Sequence, residues 1–122
     1  MVIGFNPRFK EPIIAGTKIH TIRQDQHNRW KAGMVMHMAT GVRTKNYSMF
    51  CAVMCKSTQA VEIIGESDEL NGVIVKVDGR ALSLPEVKQL AWNDGFDNLA
   101  DFWRWFSDDF TGKILHWTEL RY

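Results

Sequence analysis

The chain has 122 residues, of which 45% are hydrophobic and 24% are charged, and its formal net charge is +1. These values are typical of a single globular domain, here residues 1–122, and exclude a disordered or fibrous chain. No run approaches the roughly 20 apolar residues that span a bilayer, and the first residues lack the pattern of a secretory signal. We therefore expect a cytoplasmic protein without a membrane partner, monomeric by default.

Basic residues are concentrated in the first half of the chain. Residues 1–60 carry nine Lys or Arg and two acids, a net charge of +7, whereas residues 61–122 carry six basic and twelve acidic side chains, a net charge of −6. A basic half favours a phosphate-bearing partner, such as RNA or a nucleotide. The alternative is that the two halves interleave in the fold, so that the field partly cancels.

The cysteines and histidines do not predict a metal site. Cys51 and Cys55 fall in one predicted strand, where four residues separate their Cα atoms by about 13 Å. A disulfide needs Cα atoms within about 7 Å, so we expect two free thiols. Two Cys and four scattered His give no zinc-binding spacing, and we expect no cofactor.

The first two thirds of the chain predict mostly strands. Apolar alternation and turn signals predict strands at 2–5, 19–23, 34–40, 47–55, 61–64, 73–77 and 80–82. A short helix over 8–15 interrupts this series, and Gly16 is expected to end it. Asp78-Gly79 is a two-residue hairpin signal between the sixth and seventh strands.

Two helices follow, and a strand over 114–120 closes the chain. Ser83 and Glu86 predict a capping box for the first helix, which Gly95 stops. The second is predicted to begin at Asp97 and to carry an apolar stripe of Leu99, Phe102, Trp103, Phe106 and Phe110, with Trp105 at its rim. Strands in series with segregated helices predict an α+β fold, in which mostly antiparallel strands curl into a small β-barrel with flanking helices.

The segment from Gly16 to Arg23 carries Lys, His, Thr and Arg within six positions. A lysine near a second cation is a candidate for a lowered pKa, which allows it to act as a base. A neighbouring threonine hydroxyl is then a candidate nucleophile. Lys18 and Thr21 are the candidate catalytic pair. The alternative is that Lys18 and Arg23 are solvated surface charges and that Thr21 only favours the strand.

The pattern Gly-x-Lys-x-x-Thr-x-Arg at residues 16–23, with Ile13-Ile14 before it and Trp30-Lys31-Ala32-Gly33 after it, resembles the signature of the ASCH domain. This family is a branch of the PUA-like superfamily, and the closing stretch 112–117 is similar to its last strand. The resemblance implies a small β-barrel with a cleft lined by the motif, and binding of RNA or nucleosides. Some small bacterial members are amidohydrolases that remove the acetyl group from acetylcytidine, and others are ribonucleases.

The resemblance also implies roles for individual residues. In the amidohydrolase type a Lys and a Thr, matched here by Lys18 and Thr21, work with a Glu further along the chain. That Glu is not matched. Asp78 is the candidate substitute, with Glu62 or Glu69 as alternatives. His20 occupies a motif position that we expect to be apolar.

RNA or nucleoside binding needs cations for phosphates and an aromatic ring for a base. The candidate phosphate ligands are Arg23, Lys18, Arg8 and Lys10. Trp30 and Tyr47, each beside a lysine, are the candidate stacking residues, although Trp30 is equally interpreted as a turn residue packed under the barrel.

Three functions stay open at this point. The first is an ASCH-type domain that binds RNA or a modified nucleoside through residues 18–23. The second is an amidohydrolase acting on acetylated cytidine, with Lys18 as base and Thr21 as nucleophile. The third is a protein-interaction module that presents Trp105 and the acidic second half.

Overall fold

The computed structural model of the chain describes residues 1–65, 73–106 and 108–122. Within these ranges the chain forms eight strands, three α-helices and a 3-10 helix at Pro7–Phe9. The strands are β1 (Val2–Phe5), β2 (His20–Arg23), β3 (Val35–Thr40), β4 (Ser48–Met54), β5 (Ser57–Gly65), β6 (Val73–Val77), β7 (Arg80–Ala81) and β8 (Phe110–His116). The helices are α1 (Lys10–Ala15), α2 (Leu84–Asn93) and α3 (Leu99–Trp105). The predicted α+β class is confirmed.

The strands form two hydrogen-bonded sheets. The smaller has the order β1-β3-β4, with β1 parallel to β3, and the larger has the antiparallel order β2-β8-β5-β6-β7. Between the described strands no ladder joins the two sheets, so the predicted closure into one barrel is wrong. Alternation in a sequence fixes which face of a strand is buried, but it does not fix which edges pair.

Strands from the basic and acidic halves of the sequence lie side by side. β8, from the second half, pairs with β2 and β5 on its two sides. The two halves of the sequence are therefore interleaved in the larger sheet, but its strands carry four basic residues, Arg23, Lys76, Arg80 and Lys113, against the single acid Glu62.

The core lies between the sheets and the helices. Met36 and Met38 of β3 are fully buried, together with alternate residues of the larger sheet, such as Val61 and Ile63. Burying one such side chain contributes about 1.5–3 kcal/mol to the free energy of unfolding. Both cysteines are free, as predicted.

The bounds of α2 and the end of α1 agree with the sequence, whereas α1 starts at Lys10 after the 3-10 helix and not at residue 8, and both ends of α3 differ. Gly16 ends α1 with φ of +82°, and the capping box of Ser83 and Glu86 is present. The helix α3 begins after Asn98 instead of Asp97 and stops at Trp105. The prediction that it continues to Phe110 is wrong, because Phe110 pairs with β5 as the first residue of β8. None of the helices in the described ranges has the length and apolar character needed to cross a bilayer.

Candidate functional site

A cleft of about 140 Å³ lies beside β2. Its walls come from β1 and the turn after it, from Phe9, from the segment 18–23, from the turn that follows α2, and from the end of α3. Lys18, Thr21 and Arg23, the three polar residues of the motif, all line it. The structure thus brings together the two cations and the hydroxyl that the sequence singled out.

Lys18 enters the cleft from the bend between α1 and β2. Its backbone N–H donates to Pro12 O at 3.0 Å, and the next N–H donates to Asn93 O at 2.8 Å, so the bend is fixed to both helices. Gly95 packs against the lysine stem with φ of +94°, and a Cβ there would lie 3.0 Å from Lys18 Cδ. Glycine is favoured at this position because a side chain would be strained at this φ angle and would crowd Lys18.

The Lys18 ammonium is almost completely buried, with 2% of the side chain exposed, and it is paired with Asp94. Nζ donates to the main-chain oxygen of Asp94 at 2.5 Å and to its carboxylate Oδ1 at 3.3 Å. Nζ also lies 4.7 Å from the centre of the Phe9 ring. Burial lowers the pKa of Lys18 below its ordinary value, and the Asp94 carboxylate opposes part of that shift. Lys18 is therefore not a solvated surface charge.

Thr21 and Arg23 lie on the cleft side of β2. The Arg23 guanidinium donates through Nε to Thr21 Oγ1 at 3.3 Å and through Nη2 to Gly4 O at 2.7 Å. Its carbon Cζ lies 4.8 Å from the centre of the Phe5 ring. No carboxylate of the described residues lies within 4.0 Å of Arg23. Asp94 compensates the charge of Lys18, so the net positive charge of the cleft comes from Arg23.

Arg8 and Lys10 lie apart from the cleft floor. Arg8 is exposed and stacks over Phe9 and Phe96, at 5.1 and 5.4 Å from the ring centres, so it borders the aromatic wall. Lys10 points instead towards Phe50, 6.0 Å from its ring centre. Arg8 therefore lies beside two residues that line the cleft, whereas Lys10 lies beside β4, and their roles as phosphate ligands stay predictions.

The predicted stacking residues are not at the cleft. Trp30 is buried in the core and Tyr47 is exposed before β4, and neither lines the cleft. The packed alternative for Trp30 is the one observed. The aromatic side chain that lines the cleft and is still 49% exposed is Trp105, whose ring meets Phe9 and Phe96 edge-on at 5.3 and 5.8 Å. Its role as a marker of a protein interface stays a prediction.

Asp78, the predicted acidic partner of Lys18, lies elsewhere. Its carboxylate accepts from Ala60 N at 2.9 Å and from Gln59 Nε2 at 3.0 Å, which ties the turn between β6 and β7 to β5. The carboxylate beside Lys18 belongs to Asp94. Of the two alternatives, Glu62 is exposed on β5 and Glu69 lies outside the described residues.

Asp94 was missed because it lies 76 positions from Lys18. Its only local signal is its place just before Gly95, which was recognised as a helix stop. The sequence places Trp105 at the rim of the apolar stripe of α3, but only the structure shows that this rim lines the same cleft as the motif. In the described part of the chain, no group of three His, Cys, Asp or Glu side chains is arranged to hold a metal ion.

Comparison with known proteins gave no match to a family model, to a curated protein or to a solved structure. The functional interpretation accordingly depends on the geometry of the cleft and on the motif in residues 16–23.

Proposed function

We propose that the cleft binds one nucleoside, either free or exposed in an RNA strand. The observation that carries this proposal is that Lys18, Thr21 and Arg23 line one open cleft together with the half-exposed ring of Trp105. Single-stranded nucleic acids are bound by this combination of cations and an aromatic platform. The resemblance of the motif to the ASCH domain supports the same class of ligand.

The size of the cleft supports a ligand that inserts a single ring. Its volume of about 140 Å³ is about half of the roughly 300 Å³ at the lower end of pockets that enclose a whole drug-sized molecule. A base is flat and has polar edges, so it matches a cleft whose walls combine a hydroxyl and two cations with aromatic rings. Any phosphate would then lie near Arg23, and a longer ligand would extend out of the cleft towards Arg8.

The aromatic platform is tested by titrating cytidine, N4-acetylcytidine and a short single-stranded RNA while following tryptophan fluorescence. Trp105→Ala is expected to weaken binding by about 5- to 150-fold, because stacking of a base on an aromatic ring contributes about 1–3 kcal/mol. Trp92→Ala is the matched control, since Trp92 is 50% exposed but does not line the cleft. Equal affinity of the Trp105→Ala protein and the wild type would contradict the proposal.

Arg23 is tested by comparing ligands with and without phosphate. We expect Arg23→Gln to weaken cytidine monophosphate and RNA more than cytidine, and to reduce the salt dependence of RNA binding. Binding of RNA that does not depend on salt in the wild type would exclude a phosphate contact at this guanidinium.

A second candidate function, hydrolysis of an N-acetylated cytidine, is supported by the carboxylate 3.3 Å from Lys18 Nζ. Asp94 supplies the acid that the amidohydrolase interpretation requires. Burial lowers the pKa of Lys18, and this increases the fraction of neutral amine that is able to accept a proton. Among the described residues no hydrogen bond joins Lys18 to Thr21: Lys18 donates to Asp94, and the Thr21 hydroxyl accepts from Arg23. This is why binding is proposed first.

In that reaction Lys18 would remove the proton of the Thr21 hydroxyl while Oγ1 attacks the acetyl carbonyl carbon. The developing oxyanion would be stabilised by Arg23, and the Lys18 ammonium would return its proton to the departing N4 amine, which releases cytidine. Water, activated by Lys18, would then hydrolyse the acetyl ester on Thr21 and release acetate.

The second candidate is tested by incubating the protein with N4-acetylcytidine and measuring cytidine and acetate. Thr21→Val keeps the shape of the side chain but removes the hydroxyl, so it should abolish turnover, whereas Thr21→Ser should retain part of it. If the wild type gives no product while it still binds acetylcytidine, the hydrolase interpretation fails and the binding proposal stands.

A further inference from the structure

A buried histidine stands behind the cleft, at the motif position where an apolar residue was expected. The His20 ring is fully buried, and both of its nitrogens have partners. Nδ1 lies 3.1 Å from Asp94 Oδ1, and Nε2 lies 2.6 Å from the hydroxyl oxygen of Tyr122. His20 therefore connects the C-terminal segment to the carboxylate that holds Lys18.

The partners of His20 determine which ring nitrogen carries the proton. An ionised carboxylate can only accept hydrogen bonds, and Asp94 is paired with the Lys18 ammonium, so Nδ1 must donate to Asp94. Burial lowers the pKa of His20, which keeps the ring neutral, with Nε2 as an acceptor. The Tyr122 hydroxyl must then donate to Nε2.

The other hydrogen bonds of Tyr122 are consistent with its hydroxyl as the donor to His20. Its hydroxyl oxygen accepts from Asn93 Nδ2 at 2.9 Å, and Asn93 Oδ1 accepts from Gln89 Nε2 at 2.8 Å. Burial raises the pKa of Tyr122, so its hydroxyl keeps the proton that it donates. Gln59 fixes the residue through its main chain, with bonds of 2.8 Å to Tyr122 N and 2.9 Å to Tyr122 O.

We propose that Tyr122 and His20 are positioning residues, which orient the Asp94 carboxylate and through it the Lys18 amine. Neither residue lines the cleft, so both act through Asp94. Asp94 Oδ1 has two donors, Lys18 Nζ and His20 Nδ1, and these hold the carboxylate in one orientation. This inference rests on the proposed function, because the Lys18 amine that these residues orient is the one proposed to contact the nucleoside.

The proton positions are tested first, in the complete ligand-free protein, by ¹⁵N NMR of the histidine rings. We expect His20 with a protonated Nδ1 and with an unprotonated Nε2 that accepts a hydrogen bond. Tyr122→Phe should shift the Nε2 resonance towards that of a free acceptor, whereas Tyr47→Phe, at an exposed position outside the cleft, should not. A proton on Nε2 in the wild type, or an unchanged Nε2 resonance in Tyr122→Phe, would overturn the inference.

The effect on the cleft is tested by the affinity for cytidine and N4-acetylcytidine, measured on variants that circular dichroism shows to be folded. His20→Leu removes the donor to Asp94 and should weaken binding about tenfold, as should Tyr122→Phe, because each breaks two buried hydrogen bonds of this network: His20 bonds Asp94 and Tyr122, and the Tyr122 hydroxyl bonds His20 and Asn93. His20→Asn places an amide N–H close to the position of Nδ1 and should restore affinity to within about threefold of the wild type. A merely structural role would lower stability in all three variants and leave the affinity of the folded protein unchanged, and that result would overturn the inference.

The ligand-binding role of the cleft and the positioning role of His20 and Tyr122 are refuted by different results. If the wild type binds neither nucleoside nor RNA, the proposed function fails, and the inference fails with it as a statement about ligand binding. If the wild type binds and folded His20→Leu binds equally well, only the positioning role is lost.

Discussion

Replacing Asp94 by asparagine isolates the charge of the buried carboxylate. Asparagine has nearly the same shape and can still accept from His20, but it cannot neutralise the Lys18 ammonium, of which 2% is exposed. Removing one member of a buried ion pair leaves an uncompensated charge and costs about 3–5 kcal/mol. We therefore expect Asp94→Asn to lower the free energy of unfolding by about that amount at pH 7.

The loss is measured by urea denaturation. With a slope of about 2 kcal/mol per molar urea, typical of a small domain, the midpoint should fall by about 2 M. The double variant Lys18→Met/Asp94→Asn removes the charge that Asp94 compensates, so it should recover a large part of the loss. If the stability losses of Lys18→Met and Asp94→Asn, each measured alone, simply add in the double variant, the ammonium and the carboxylate are not coupled. The interpretation of the two groups as a buried ion pair is then refuted.

The same variant has a pH dependence of defined sign. The pKa of Lys18 in the folded protein lies below the ordinary value of 10.5, so between these two values the unfolded chain binds more protons. Stability therefore rises with pH across this interval. Asp94→Asn removes an interaction that raises the Lys18 pKa, which widens the interval, so its stability should rise more than that of the wild type between pH 7 and pH 10.5. A smaller rise in the variant would contradict this assignment.

Three further outcomes are expected elsewhere in the fold. Burial lowers the pKa of His116 from 6.5 to about 4, so protonation should remove stability as the pH falls through that range, and ring NMR should show a midpoint near pH 4. Gly112→Ala should cost about 1–3 kcal/mol in thermal or urea unfolding, because its Cβ would overlap the carbonyl oxygen of Arg23, whereas Gly65→Ala has ordinary space and should be nearly neutral. Ser83→Ala should cost about 1 kcal/mol by removing the cap of α2, and an unchanged melting temperature would contradict that role.

The sequence predicted the local elements well where the signals are local. The capping box of Ser83 and Glu86, the αL glycine after α1 and the hairpin at Asp78 depend on residues within four positions of each other, and all are present. The predicted end of α3 was wrong because Phe106 and Phe110 pack together, with ring centres 5.2 Å apart, although Phe110 lies on a strand. Apolar spacing is therefore satisfied there without a helix.

The sequence alone also determined the polar composition of the candidate site, since Lys18, Thr21 and Arg23 lie within six positions and an extended strand must present Thr21 and Arg23 on one face. Only the tertiary structure determined which other residues lie beside these three side chains. Asp94 and Trp105 come from the turn after α2 and the end of α3, and the fold brings both of these segments to the cleft beside β2. Spacing along a chain constrains neighbours up to about one or two turns away. Contacts across 76 positions are fixed by the burial of the whole core, which no short pattern contains.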